Sequence, residues 1–217
     1  MKLVVQRLRQ RTGSSDAGMT LIEVIVAISL IAIISTGAIG LGIASQKGSS
    51  IQQRQEIAVT VASEAMEAAN AQSSATNPST QMSYLYQGRT QSQVTDAWTA
   101  NAGAPGLAAT YPGWDPSATA TSVQSLRVSQ PVVRNGTVYT VYTLIGTCYI
   151  STVGSGDCTT LAGSSTPPAV TPVGKTQLSR VLIIVRWNAG GCVTGGCSYQ
   201  AGSLIDAHSD LQWNTHA

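Results

Sequence analysis

From Val24 to Gln46 the chain runs 23 residues without a charge, and only one acid, Glu23, stands at the head of that run. A hydrocarbon core about 30 Å thick needs about 20 apolar residues of helix, so the segment is long enough to cross a bilayer once. Gly37, Gly40 and Gly42 loosen its second half. A carboxylate deep in a membrane costs about 2.5–3.5 kcal/mol, and less near an interface. Glu23 is therefore expected either to reach the headgroups, as at the start of an ordinary anchor helix, or to meet a cation inside the bilayer.

Charge sets the orientation of this span. Lys2, Arg7, Arg9 and Arg11 are four of the twelve Lys and Arg residues, and Asp16 is the one acid before Gly18. The positive-inside bias keeps such an N-terminus cytoplasmic and sends the remainder outside. The whole chain has a formal charge of +2, but residues 19–217 hold eight bases against nine acids, so the sequence pI of about 8.4 belongs largely to the leader. Bases scattered over a nearly neutral outer region leave no electrostatic footprint for nucleic acid. A secretory signal with cleavage at Gly42-Ile43-Ala44 is the competing interpretation. Its apolar core would exceed the usual 7–15 residues and would begin behind an acid.

Gly18-Met19-Thr20-Leu21-Ile22-Glu23 behind a short basic leader resembles the N-terminus of type IV pilin-like proteins. The resemblance implies a substrate rather than an enzyme. A prepilin peptidase would cut after Gly18 on the cytoplasmic side, and the new terminal amine of Met19, where many pilins carry phenylalanine, would be methylated. Glu23 then becomes the assembly glutamate. In a filament that packs these helices side by side, a neighbour's terminal ammonium offers it a partner and relieves two desolvated charges together. The other implied partners are further pilin or pseudopilin subunits and a pilus assembly platform, and the implied location is the cytoplasmic membrane, then a pilus or pseudopilus at the cell surface.

Ser49 to Gln72 has no proline and is rich in Ala, Glu, Gln and Met, a composition that continues the helix. Ile51, Gln55, Ala58, Ala62, Ala65 and Ala69, with Ile57, Val61 and Ala68 beside them, form a broad face of small apolar side chains. The polar punctuation at Ser73 to Pro78 ends the helix, which is expected over Thr20 to Gln72, about 80 Å at 1.5 Å per residue. Glu56, Glu64, Met66 and Glu67 among the alanines make this stretch similar to minor pilins of the PilV kind and I-subunit pseudopilins of type II secretion, although a solvated acidic helix face has the same composition. The proline that many major pilins place within the anchor helix is absent, and Gly40 stands near its position. Both features point towards a minor pilin or pseudopilin. Alternatives are a tip subunit that binds DNA, glycan or a surface, and a membrane-anchored receptor outside any filament.

The expected organisation is a cleaved leader over 1–18, a transmembrane and assembly helix over 19–46, the distal half of that helix over 47–72, a connecting loop over 73–122, and a β region over 123–217. In the loop, Tyr84, Tyr86, Trp98, Tyr111 and Trp114 supply rings able to dock it on a sheet. Exposed rings could instead stack on sugars. In the last region Asn135-Gly136 is the preferred pair for a two-residue type I′ hairpin turn between apolar runs. Pro131 suggests an edge strand, and Val181-Leu182-Ile183-Ile184-Val185, apolar on both faces, a central one. With a last strand near Tyr199 to Leu204, the fold class is α+β, a long helix packed on a roughly four-stranded antiparallel sheet, which is also what the resemblance implies.

All four cysteines, Cys148, Cys158, Cys192 and Cys197, fall in the region expected outside the membrane. Three pairings are possible there. Cys148 with Cys158 and Cys192 with Cys197 is favoured because each bridge would staple a Gly-rich excursion beside a strand, with crossed bridges left open. The spacings match no C-x₂-C pair of a zinc site. Asp206, His208 and Asp210 alternate, and Asp157 sits in a Gly-rich loop, but no run of several oxygen ligands accompanies either. Two histidines, neither patterned with a nucleophile, leave no catalytic constellation, and no cofactor is expected.

Overall fold

The apolar run does form helix, and the helix does not stop at its end. The structure, a computed structural model, describes residues 20–73, 84–153, 156–189, 192 and 196–206. Helix α1 spans Leu21–Ser73, against an expected Thr20 to Gln72. The chain divides between Ser50 and Ile51 into two compact units. The first contains the apolar part of α1. The second contains the rest of the described chain.

The second unit is built on an antiparallel sheet. Its strands are β1 (Tyr111–Pro112), β2 (Ser129–Arg134), β3 (Thr137–Ser151), β4 (Lys175–Trp187) and β5 (Cys197–Ile205). The order is β1-β3-β4-β5, with β2 on the same edge of β3 as β1, so a two-residue strand joins the four expected ones. The β2–β3 turn has Asn135 at φ 48° and Gly136 at φ 72°, the two positive values that a type I′ turn demands. Pro131 of β2 faces Thr140 of β3, and β2 pairs on one side only, so the proline sits on an edge strand as expected. β3 is longer than the run Val138 to Ile145 indicates, because Gly146 interrupts the apolar pattern without interrupting the strand. A Cβ at Gly146 would run into the Tyr111 carbonyl, so glycine is what lets β1 approach.

Both faces of β4 are covered, as five consecutive apolar residues require. Val181, Ile183 and Val185 join Tyr139, Val141 and Ile145 against Ala58, Val61, Ala62 and Ala69 of α1. Small alanines on the helix let it lie close, and Ile57, Ala65 and Met66 flank the seam. Ile51, Gln55 and Ala68, expected on the packed face, are exposed, because the real stripe steps through 58, 61, 62, 65 and 69. On the other side, Leu144, Leu182 and Ile184 pack on Val94, Ala97, Leu107 and Val128.

That second layer corrects the picture of a loop over 73–122. Within it lies helix α2, Gln91–Ala100. Thr90 and Gln93 form a capping box: the Thr90 side-chain oxygen accepts the Gln93 N–H at 3.3 Å, and the Gln93 side chain accepts the Thr90 N–H at 3.1 Å. Val94, Ala97 and Trp98 then face the sheet at helical spacing. The rings dock the segment as expected: Tyr111 is buried, Tyr86, Trp98 and Trp114 are half-buried against the two clusters, and Tyr84 is exposed.

Between β1 and β2 the edge of β3 has a gap, and arginine fills it. Arg89, fully buried, donates from Nη2 to the Thr143 carbonyl, while the Thr143 N–H donates to Val128 O at 3.0 Å. Burial lowers the Arg89 pKa to about 10. On the α2 side Arg180 donates to Gly106 O at 2.6 Å, Thr110 Oγ1 at 3.0 Å and Cys158 O at 2.5 Å, tying two loops to β4.

Because Ile183 is fully buried between sheet and α1, Ile183→Ala should cost about 2–5 kcal/mol. The wholly exposed Val173→Ala should fall within about 0.5 kcal/mol of the parent. Chemical denaturation of the detergent-solubilised chain, followed by circular dichroism, measures both.

Candidate functional site: an uncovered apolar helix

Large apolar side chains surround α1 at its start instead of lining one face. Thirteen of them from Leu21 to Ile43 are at least 39% exposed. Burying each is worth about 1.5–3 kcal/mol, so leaving all in water would forgo about 20–40 kcal/mol. That exceeds the whole stability of an ordinary domain, about 5–15 kcal/mol. The segment is therefore made for an apolar surrounding that the chain itself does not provide. Length and composition suffice for one membrane crossing, and none of its most apolar stretch is buried.

Its polar groups are arranged for such a place. Ser29 Oγ donates to Ile25 O at 2.8 Å and Thr36 Oγ1 to Ile33 O at 2.8 Å, so both hydroxyls are satisfied within the helix. Glu23 lies in the first turn of α1, its N–H donating to Thr20 O at 3.0 Å. A carboxylate there also answers the partial positive charge of the helix N-terminus. Gly18 and Met19, the expected processing residues, lie outside the described residues, as do His208 and Asp210.

A second feature, a stripe of small residues, includes only Gly40 of the three glycines that loosen the span. Ala32, Thr36, Gly40, Ala44 and Gly48 recur every four residues and, on one continuous helix, share a face. A Cβ added at Gly37, Gly40, Gly42 or Gly48 meets nothing within 4 Å. Such small-xxx-small stripes let two helix backbones approach closely in a membrane.

The cysteines are joined Cys148 to Cys158 and Cys192 to Cys197, with Cα atoms 5.4 and 5.0 Å apart. The first bridge holds the loop after β3 against that strand, where Tyr149 and Thr159 exchange backbone hydrogen bonds of 2.8 and 3.0 Å. The Tyr111 hydroxyl accepts the Leu161 N–H at 2.9 Å and pins the same loop from β1. Asp157 stands near Arg180 and opposes the lowering of its pKa by burial. Among the described residues no group of three or more His, Cys, Asp or Glu could hold a metal ion.

Residues 13–39 match the family described as the prokaryotic N-terminal methylation motif. The match covers the leader's end, Gly18, Met19, Glu23 and the first half of the apolar helix. The chain thus carries the processing motif of a type IV pilin-like prepilin peptidase substrate. Neither the curated proteins nor the solved structures contain a match to it.

Since Gly40 touches nothing in the chain, Gly40→Leu should leave unfolding of the outer domain within about 0.5 kcal/mol of the parent. A larger loss in the same denaturation experiment would mean that the glycine face packs on the chain itself.

Proposed function

We propose that this protein is a minor pilin or pseudopilin, cut after Gly18, methylated at Met19 and assembled into a type IV pilus or a type II secretion-like pseudopilus. The observation that carries the reading is the uncovered apolar helix with one acid at its head, lying under a methylation motif. The membrane surrounds this helix before assembly, and other subunits surround it afterwards. The leader's bases hold the N-terminus inside, which leaves the disulfide-bonded domain in an oxidising space.

Glu23 supplies the registration. In a packed helical core an unpaired carboxylate is expensive, whereas one paired with the terminal ammonium of a neighbouring Met19 is compensated. A subunit one step out of register loses that compensation. The small stripe from Ala32 to Gly48 supports the same reading, because close helix contacts need small side chains. Absence of an anchor-helix proline and the alanine- and glutamate-rich segment 56–67 support a minor rather than a major subunit.

Glu23→Ala removes the pairing and leaves the span more apolar. Membrane insertion and leader removal should persist, while the amount of subunit recovered in sheared filaments should fall about tenfold or more, the loss that 1.4 kcal/mol of pairing produces. Quantitative immunoblots of filament and membrane fractions measure it. Undiminished incorporation would favour a membrane-anchored receptor outside any filament.

A further inference from the structure

The two edges of the sheet end differently. On β3 the Thr143 N–H donates to Val128 O, and Ile145 O accepts the Gly113 N–H, both bonds running away from β4. Backbone groups alternate sides along an antiparallel strand, so the odd residues of β3 point outward and the even ones toward β4. Followed through the register, Val181, Ile183 and Val185 of β4 turn their N–H and C=O groups toward Ser203, Ala201 and Tyr199 of β5. The N–H and C=O groups of Ser198, Gln200, Gly202 and Leu204 therefore point out of the sheet. Among the described residues no strand lies beyond them and none of these groups has a backbone partner. The opposite edge is guarded, because Pro131, across from the even-numbered Thr140, takes an outward position on β2 and has no N–H to offer. β5 has no such guard. From Cys197 to Ile205 it carries neither a proline nor a charge.

The faces beside this edge are unfinished as well. Tyr199, Ala201 and Ile205 pack on the core between sheet and α1 yet stay half-buried. On the other face the Gln200 side chain donates to Pro105 O at 2.8 Å, and Leu204 is exposed. A further strand with apolar residues toward α1 and polar ones on the other side would extend both layers. We infer that the free edge of β5 receives such a strand from a different filament subunit, paired antiparallel with the backbone of Ser198, Gln200, Gly202 and Leu204. A second copy of this chain does not fit. Antiparallel pairing of β5 with itself sets a two-fold axis along the sheet normal, which reverses every direction in the plane of the sheet, the course of α1 across it included. The two chains would then enter their outer domains from opposite ends, whereas chains anchored in one membrane enter from the same end. A second copy's other edge is the one that Pro131 blunts.

The inference rests on the filament reading above. Its test is amide hydrogen exchange, resolved to single residues by mass spectrometry, on the mature chain in neutral detergent micelles and in sheared filaments. In micelles the amides of Tyr199, Ala201 and Ser203 should be protected and those of Ser198, Gln200, Gly202 and Leu204 should exchange freely; in filaments the second set should slow about tenfold or more. Gln200→Pro, which gives β5 the guard that β2 has, and Leu204→Lys, which charges the edge, should each lower the subunit recovered in filaments about fivefold. The wholly exposed Val173→Lys should not. Protection of Tyr199 and Ala201 in micelles shows that a variant is folded. Even-numbered amides already slow in micelles, even-numbered amides still fast in filaments, or full incorporation of folded Leu204→Lys would each overturn the inference. A processed chain present in filaments with a freely exchanging edge would sink the pairing alone. A chain that keeps its leader and is absent from filaments would sink the filament reading and the pairing with it.

Discussion

The structure depends on a change of surface along one continuous helix. From Leu21 to Ile43 the apolar side chains of α1 face every direction, and from Ala58 to Ala69 they face one. The first pattern cannot be satisfied by any single neighbour and calls for a medium, whether lipid or a ring of other helices. The second is satisfied by one sheet. A helix that makes this change within a few turns belongs to two environments at once, and no folding of the rest of the chain relieves the first half.

The outer domain follows from the second half. Ala58 and Ala62 are small enough for α1 to lie close to β3 and β4, so the apolar residues of β4 on that face are sealed by a helix already present for another reason. The opposite face then needs its own cover, which the polar chain between α1 and β2 supplies with α2 and the rings around it. Arg89 closes the edge of β3 that β1 and β2 leave between them. Burying that cation is costly, as its lowered pKa records. The hydrogen bond to Thr143 O recovers part of the cost, because the carbonyl would otherwise lack a partner on that edge.

The elements legible in the sequence are those with one dominant local signal. The uncharged run, the Asn135-Gly136 turn and the doubly apolar β4 each leave one physical solution, and the structure contains all three. α2 was hidden because its ten residues are mostly polar and its signal is a four-residue capping box, easily lost among serines and threonines. Ile51, Gln55 and Ala68 share the face that spacing predicts to be packed and yet are exposed, because a stretch so rich in alanine carries little information about which of two adjoining stripes is buried. Of the candidate site, Glu23 and the span were legible from local pattern. The small stripe was not, since Ala32, Thr36, Ala44 and Gly48 join Gly40 on one face only once the whole segment is one helix.

Glu23, the apolar helix and the methylation motif acquire a common purpose only if residues 1–18 are removed, because pairing with Glu23 requires a free amine on Met19. Mass spectrometry of the N-terminal peptide, from membranes of cells with and without their prepilin peptidase, tests this directly. The account predicts a chain beginning at Met19 with a methylated amine, seen only when the peptidase is present. A chain beginning at Ser45, or one that keeps its leader in both strains, would contradict it.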